Sequence, residues 1–200
     1  MLNTTPLPAF PQFWQLRPPR DALILVVKST FDLVPTRHAT PSEEQELPPG
    51  PAPFPETEDT LRYPGDMAFF KPRCDVLVAG HAYASERSPS PVQRIAIDLG
   101  RELAYAIAAV GDRRWLRGVP TAPASFERIE LRPERAYGGP GDDHNPVGVG
   151  RIAEEGSPLP NFELPDRLIR SASDRPAPAM LTPVGERWAG RTRHVGTYGG

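Results

Sequence analysis

Apolar positions in this chain come in short bursts, and the clearest burst alternates with a period of two. In Arg94–Leu99, Ile95, Ile97 and Leu99 alternate with Arg94, Ala96 and Asp98. After Gly100-Arg101 the pattern resumes with Leu103, Tyr105 and Ile107. Period-two alternation across a glycine-containing turn predicts a β-hairpin with one buried face. An alanine-rich helix over Glu102–Val110 is the competing reading, because Ala is the strongest helix former.

Three other segments read as strands. Ala22-Leu-Ile-Leu-Val-Val-Lys-Ser-Thr-Phe31 is apolar and rich in β-branched residues, which predicts a buried strand. Cys74–Tyr83 is a second, with Val76 and Val78 on one face and Leu77 and Ala79 on the other, the pattern of a strand buried on both sides. Its Gly80 marks a bulge or a close backbone approach. Phe126, Ile129 and Leu131 suggest a short strand that ends at Pro133. Gly111-Asp112 reads as a turn after the hairpin, and Tyr137 to Gly200 is dominated by turn residues.

Composition sharpens this picture through proline. There are 27 prolines and 17 glycines in 200 residues, against a usual proline level of about 5%. Interior proline removes a backbone donor and breaks helices. Regular structure is therefore expected in the proline-free windows Arg20–Val34, Arg73–Ser88, Val92–Val119 and Val184–Gly200. Pro35–Pro55, with Glu43, Glu44 and Glu46, reads as a polar, proline-rich, solvated loop. No repeat or composition break divides the chain. The expectation is a single domain over residues 1–200, mainly β, with antiparallel sandwich-like sheets, long Pro/Gly-rich loops and little helix.

Charge and cysteine content narrow the function classes. The formal net charge of −2 gives no global attraction to nucleic acid or an anionic membrane. The one cysteine, Cys74, excludes an intrachain disulfide. No run of about 18 apolar residues predicts a membrane span. Met1–Arg20 lacks the basic and apolar regions of a secretory signal, so a cytoplasmic location is expected.

Candidate chemistry is sparse. Asp142-Asp143-His144 is the most ligand-like cluster, a possible start of a divalent metal site for a metal-dependent hydrolase, with His81 as a further ligand. Its spacing matches no familiar metal loop, and its glycines and Pro146 favour a turn with solvated acids. Cys74 has His38, His81, His144 and His194 in the chain but no local signature with any of them, so it reads as a small apolar residue. Gly138-Gly-Pro-Gly141 lacks the lysine and helix of a phosphate loop. Arg113, Arg114 and Arg117 flank Trp115, which suits stacking or phosphate contact but more simply a solvated strand end. Trp115 or Trp188 would be the platform of a carbohydrate-binding β-sandwich. Nothing calls for a cofactor.

Six blocks carry a resemblance. They are Lys71-Pro-Arg-Cys-Asp-Val-Leu-Val-Ala-Gly-His-Ala-Tyr83, Val110-Gly-Asp-Arg-Arg-Trp115, Arg135-Ala-Tyr-Gly-Gly139, Asn145-Pro-Val-Gly148, Leu159-Pro-Asn-Phe-Glu163 and Gly196-Thr-Tyr198. In this order the chain resembles, from about Leu23 to Tyr198, the bacterial family called domain of unknown function 2169. The resemblance implies a non-catalytic adaptor, or chaperone, of type VI secretion. Such a protein binds a toxic effector in the donor cytoplasm and loads it onto the spike complex, touching the spike tip protein or its cap. Neither nucleic acid nor membrane is an expected partner. Family members continue past the Gly-Thr-Tyr block, so the resemblance also implies a copy truncated at the C-terminus.

The same blocks read physically as turns and packing. Pro72 forces an extended Lys71, Trp115 needs a partner for its N–H, Tyr137-Gly-Gly139 and Asn145-Pro146 are turn chemistry, and Asn161 follows an extended Leu-Pro pair. Aromatic and arginine side chains anchor protein interfaces when exposed. The partner-binding candidates are therefore Trp115, Arg113, Arg114, Tyr137 and Asn145, with Trp14 near the proline-rich start.

Overall fold

The computed structural model describes residues 3–17, 20–47, 50, 52–56, 60–63, 65, 76–85, 90–101 and 103–181. These fall into two compact units, the second beginning within β5 (Ala52–Pro53). Nothing in the composition marks that division. Both units are mainly β, and the regular helix among the described residues is one 3-10 turn at Pro133–Arg135. Among the described residues no helix is long and apolar enough to cross a membrane.

The first unit is built on an antiparallel hairpin of β1 (Ala9–Arg17) and β2 (Arg20–Val27). A short pair, β3 (Phe31–Asp32) with β4 (Thr40–Pro41), follows it. β1 lies outside the proline-free windows and contains Pro11. A strand of a two-stranded sheet is an edge on one side, and an edge tolerates proline. The acidic loop is tied back to the chain. The Gln45 side chain accepts from Thr30 N–H and donates to the Thr30 and Ser42 carbonyls, and Lys28 pairs with Glu46 at 3.0 Å.

The expected buried strand at Ala22–Phe31 is not buried. Alternate residues of β2 are half-buried or exposed, and no residue of this unit whose burial is described is buried. The register explains the outcome: Phe13 faces Leu23, Pro11 faces Leu25 and Ala9 faces Val27 on one side of the hairpin. Pro11, Phe13, Leu23, Leu25 and Val27 are all exposed there, Phe13 at 78%.

The second unit carries the core. The predicted hairpin is present as β8 (Val92–Asp98) and β9 (Ala104–Val110), with Ile95 opposite Ile107 and Ile97 opposite Tyr105. The helical alternative over Glu102–Val110 does not form. β9 is central in its three-stranded sheet, flanked by β8 and β15 (Phe162–Glu163), so its last four residues, Ile107, Ala108, Ala109 and Val110, are buried on both faces. β8 is an edge, so Ile95 and Ile97 are half-buried, and Leu99, expected on the buried face, is exposed beside the turn.

A second antiparallel pair, β7 (His81–Tyr83) with β12 (Arg128–Glu130), joins that sheet around a common core. Ala82 and Ile129 of the pair cluster with Ile107, Ala109 and Phe162 of the sheet, and with Leu131 and Ala179. This is the sandwich-like arrangement that the pattern predicts. Of the Cys74–Tyr83 expectation, a strand forms at the last three residues, but it is buried on one face only: Ala82 is buried while His81 and Tyr83 are exposed. Val76 and Leu77 are exposed and irregular, Gly80 has nothing close to it, and Cys74 and Asp75 lie outside the described residues. β6 (Leu61–Tyr63) pairs with β5, and behind them Thr60 donates to Glu134 at 2.6 Å while Arg132 stacks over Phe54.

Gly111 and Asp112 form no turn. Gly111 lies in an extended run, donating to the Pro91 carbonyl, and any Cβ on it would collide with the Ala124 carbonyl. Gly111→Ala is expected to cost about 2–3 kcal/mol by overpacking. The check is a lower urea midpoint with an unchanged slope.

Candidate functional site

Five of the six sequence blocks have described residues, and four of them meet in one place in the second unit. β10 (Trp115–Leu116) turns through Arg117-Gly118, both at positive φ, into β11 (Val119–Pro120). Residues 113–115 run beside 157–159: Trp115 N–H donates to the Ser157 carbonyl and Leu159 N–H to the Arg113 carbonyl. β13 (Tyr137–Gly138) lies parallel to β14 (Val149–Gly150). Trp115, Tyr137, Leu159 and Ile169 form a second apolar cluster.

The centre of this junction is an ion pair buried away from water. Arg113 Nη2 donates to Glu163 Oε1 and, at 2.9 Å, to the Pro160 carbonyl. Glu163 Oε2 accepts the Ile169 N–H at 2.6 Å. Phe162 and Glu163 are neighbours in β15 and point to opposite faces, so one strand serves the apolar core and the ion pair. Burial pushes the Glu163 carboxyl up from its ordinary range, and the Arg113 charge and the Ile169 N–H offset only part of this. No local signal could reveal the pair, since fifty residues separate its members.

A ring of polar side chains surrounds it. Asn161 donates to the Val110 carbonyl and to Asp112, and accepts from Arg135 at 3.0 Å. A cavity of about 220 Å³ opens here, with Asp112, Arg113, Arg114, Arg135 and Asn161 among its walls. Its donors and acceptors are mixed and largely engaged with one another, which suits a hydrated structural junction. Arg114 is exposed and donates to the Gly156 carbonyl.

The partner-binding candidates fare unequally. Trp115 (2% exposed), Tyr137, Asn145 and Arg113 lie inside the second unit, so the expectation that they stand exposed is corrected. Trp115 closes the apolar cluster, with no hydrogen-bond partner for Nε1 among the described residues. Asn145 is a connector: its side-chain amide donates to the Pro133 and Tyr137 carbonyls. Gly138 passes so close to Asn145 that no side chain fits there. Of the set in this unit, only Arg114 is on the surface. The Trp14 side chain, Lys71–Asp75, Trp188, His194 and Gly196–Tyr198 lie outside the described residues.

The Asp142-Asp143-His144 segment is the turn that its composition suggests. Asp142 Oδ1 accepts the N–H groups of His144 and Asn145, and Oδ2 pairs with Arg151 at 3.1 Å. Asp143 and His144 are exposed. Among the described residues no group of three His, Cys, Asp or Glu is arranged to hold a metal. His81 stands on exposed β7, its ring 6.0 Å from that of Tyr83.

Two outcomes follow. Arg113→Met strands the Glu163 charge and is expected to cost about 3–5 kcal/mol at neutral pH. Glu163 is then raised further, so its contribution is present below about pH 4.3 and is lost as pH rises. Urea titrations should show the Arg113→Met deficit shrinking in acid, and Arg113→Met/Glu163→Gln recovering part of it at neutral pH. Asp142 behaves oppositely. Partial burial pushes its carboxyl up, but the Asn145 and His144 N–H groups and Arg151 outweigh this and hold it below its usual range. Its contribution is present above about pH 3.9 and is lost as pH falls through the depressed value. Asp142→Asn should lose that acid-side dependence, read from thermal midpoints across the same pH range.

Comparison with curated proteins and with solved structures finds no match to this chain. A comparison with protein families matches residues 19–200 to a family described as an uncharacterized protein conserved in bacteria. With nearly its whole length matched, and with four blocks of that resemblance meeting at one buried junction, the chain belongs to the DUF2169 family.

Proposed function

We propose that the protein is a non-catalytic adaptor that binds a type VI secretion effector in the bacterial donor cytoplasm and helps load it onto the spike tip protein or its cap. One observation carries this reading: the apolar face of the β1–β2 hairpin, where Pro11, Phe13, Leu23, Leu25 and Val27 lie side by side in solvent. A strand apolar on both faces is suited to cover on both. An exposed contiguous apolar patch marks an interaction surface. A two-stranded hairpin is also marginal alone, so a partner that covers it gains area and orders it. The occupant is the effector protein. A stable complex buries roughly 800 Å² on each side, more than these five side chains present, so flanking surface contributes.

The adaptor works by surface complementarity and needs no cofactor. The polar side chains that resemble catalytic material are engaged in the turn at Asp142 and the junction at Arg113.

The test is capture, by the purified full chain, of a type VI effector and of a spike tip protein from the same bacterium. Leu23→Glu/Leu25→Glu alters only exposed positions and should move the thermal midpoint by a few degrees at most. It is expected to abolish effector capture. Undiminished capture by this variant excludes the hairpin face, and failure of the unaltered chain to capture either protein rejects the adaptor reading.

A further inference from the structure

The segment after β15 holds a second surface feature that the apolar face does not explain. Arg167, Arg170 and Arg175 line a depression of about 310 Å³ together with Leu168, Asp174 and Pro176. Three arginines and one aspartate are thus among its lining residues. That carboxylate is engaged: Asp174 accepts the N–H groups of Arg170 and Ser171 at 2.8 and 3.0 Å, and the Ser171 hydroxyl at 3.3 Å. Those hydrogen bonds, with a smaller pull from the Arg170 charge, hold the Asp174 carboxyl below its ordinary range, so it is charged and occupied at neutral pH.

The segment is held at several points. The Ile169 N–H is tied to buried Glu163, the Ala172 N–H donates to the Gly118 carbonyl, and the Arg167 N–H donates to the Leu164 carbonyl. Arg175 Nη1 donates to the Ala172 and Asp174 carbonyls. The Arg167 and Arg170 guanidinium groups make no hydrogen bond or ion pair among the described residues, and both residues are exposed. The backbone is anchored, while the Arg167 side chain makes no hydrogen bond or ion pair among the described residues and the Arg170 guanidinium acts on Asp174 only through its charge.

We infer that this arginine-lined depression is a docking site for carboxylates of an acidic segment on the bound protein. This rests on the adaptor reading for the identity of the bound protein, and not for the site itself. Guanidinium groups pair with carboxylates through two parallel hydrogen bonds, which gives geometry as well as charge. The extent of the site selects the ligand. A nucleic acid is bound by an extended basic stripe, and this chain has a net charge of −2 with three arginines in one place. A short acidic stretch matches that scale. Asp166, exposed beside Arg167, adds a local repulsion that favours discrete carboxylates placed at the arginines over a diffuse polyanion.

The test is calorimetric titration of the full chain with a hexaglutamate peptide at low and at moderate salt. Saturable binding that weakens with salt is expected. Arg167→Gln/Arg170→Gln is expected to bind at least about tenfold more weakly, with an unchanged thermal midpoint. Arg170→Lys, which keeps the charge but loses the paired donors, should fall between. Equal affinity in the glutamine variant, or tighter binding of a short duplex oligonucleotide or of inorganic phosphate than of the peptide, overturns the inference. Peptide binding that depends on the arginines, in a chain that captures no effector, leaves this site standing and removes only the adaptor reading.

Discussion

The second unit depends on one interaction, the buried pair of Arg113 and Glu163. It joins the irregular segment between β9 and β10 to β15, and through the Ile169 N–H it fixes the segment that follows β15. Each charge has left water, which costs several kcal/mol per ion, so the pair adds little net stability over apolar residues of the same size. What it supplies is selectivity among packings. Any arrangement that separates the two leaves an unpaired charge in a dry interior. The Trp115–Tyr137–Leu159–Ile169 cluster lies in the same junction, where Asn145 holds the Pro133 and Tyr137 carbonyls and Asn161 holds the Val110 carbonyl.

The two units differ in what they keep inside. The second has buried apolar clusters and a polar junction built on the Arg113–Glu163 pair and the Asn161–Asp112 hydrogen bond. The first has no buried residue among those whose burial is described, and one face of its hairpin is apolar and exposed. One unit anchored by long-range bonds and another with exposed apolar surface is the combination on which the adaptor proposal rests. The family to which the chain belongs is itself uncharacterized, so the weight of the functional reading falls on that surface.

Much of the fold was legible where the pattern was periodic. Ile95, Ile97, Tyr105 and Ile107 gave the central hairpin because a two-residue period admits one face. Ile129 and Leu131 gave β12, and the acids and glycines around Asp142 gave a turn. Legibility failed where a residue type serves two ends. Trp115 and Tyr137 have the composition of interface anchors and equally of core, and only their long-range partners decide. Ala22–Phe31 reads as buried because both its faces are apolar, but apolarity sets a demand for cover without naming what provides it. β1 was hidden by Pro11, since a proline count signals a broken helix and is silent on an edge strand. Arg113 and Glu163 are too far apart in the chain to suggest each other.

The central claim is that the outward face of the β1–β2 hairpin receives a protein. Amide hydrogen exchange of the full chain, with and without a type VI effector that it captures, addresses it most directly. The account expects residues 9–27 to exchange rapidly alone and to gain strong protection in the complex, while the buried strand 104–110 is already slow and changes little. A complex that forms with no added protection anywhere in 9–27 would contradict it.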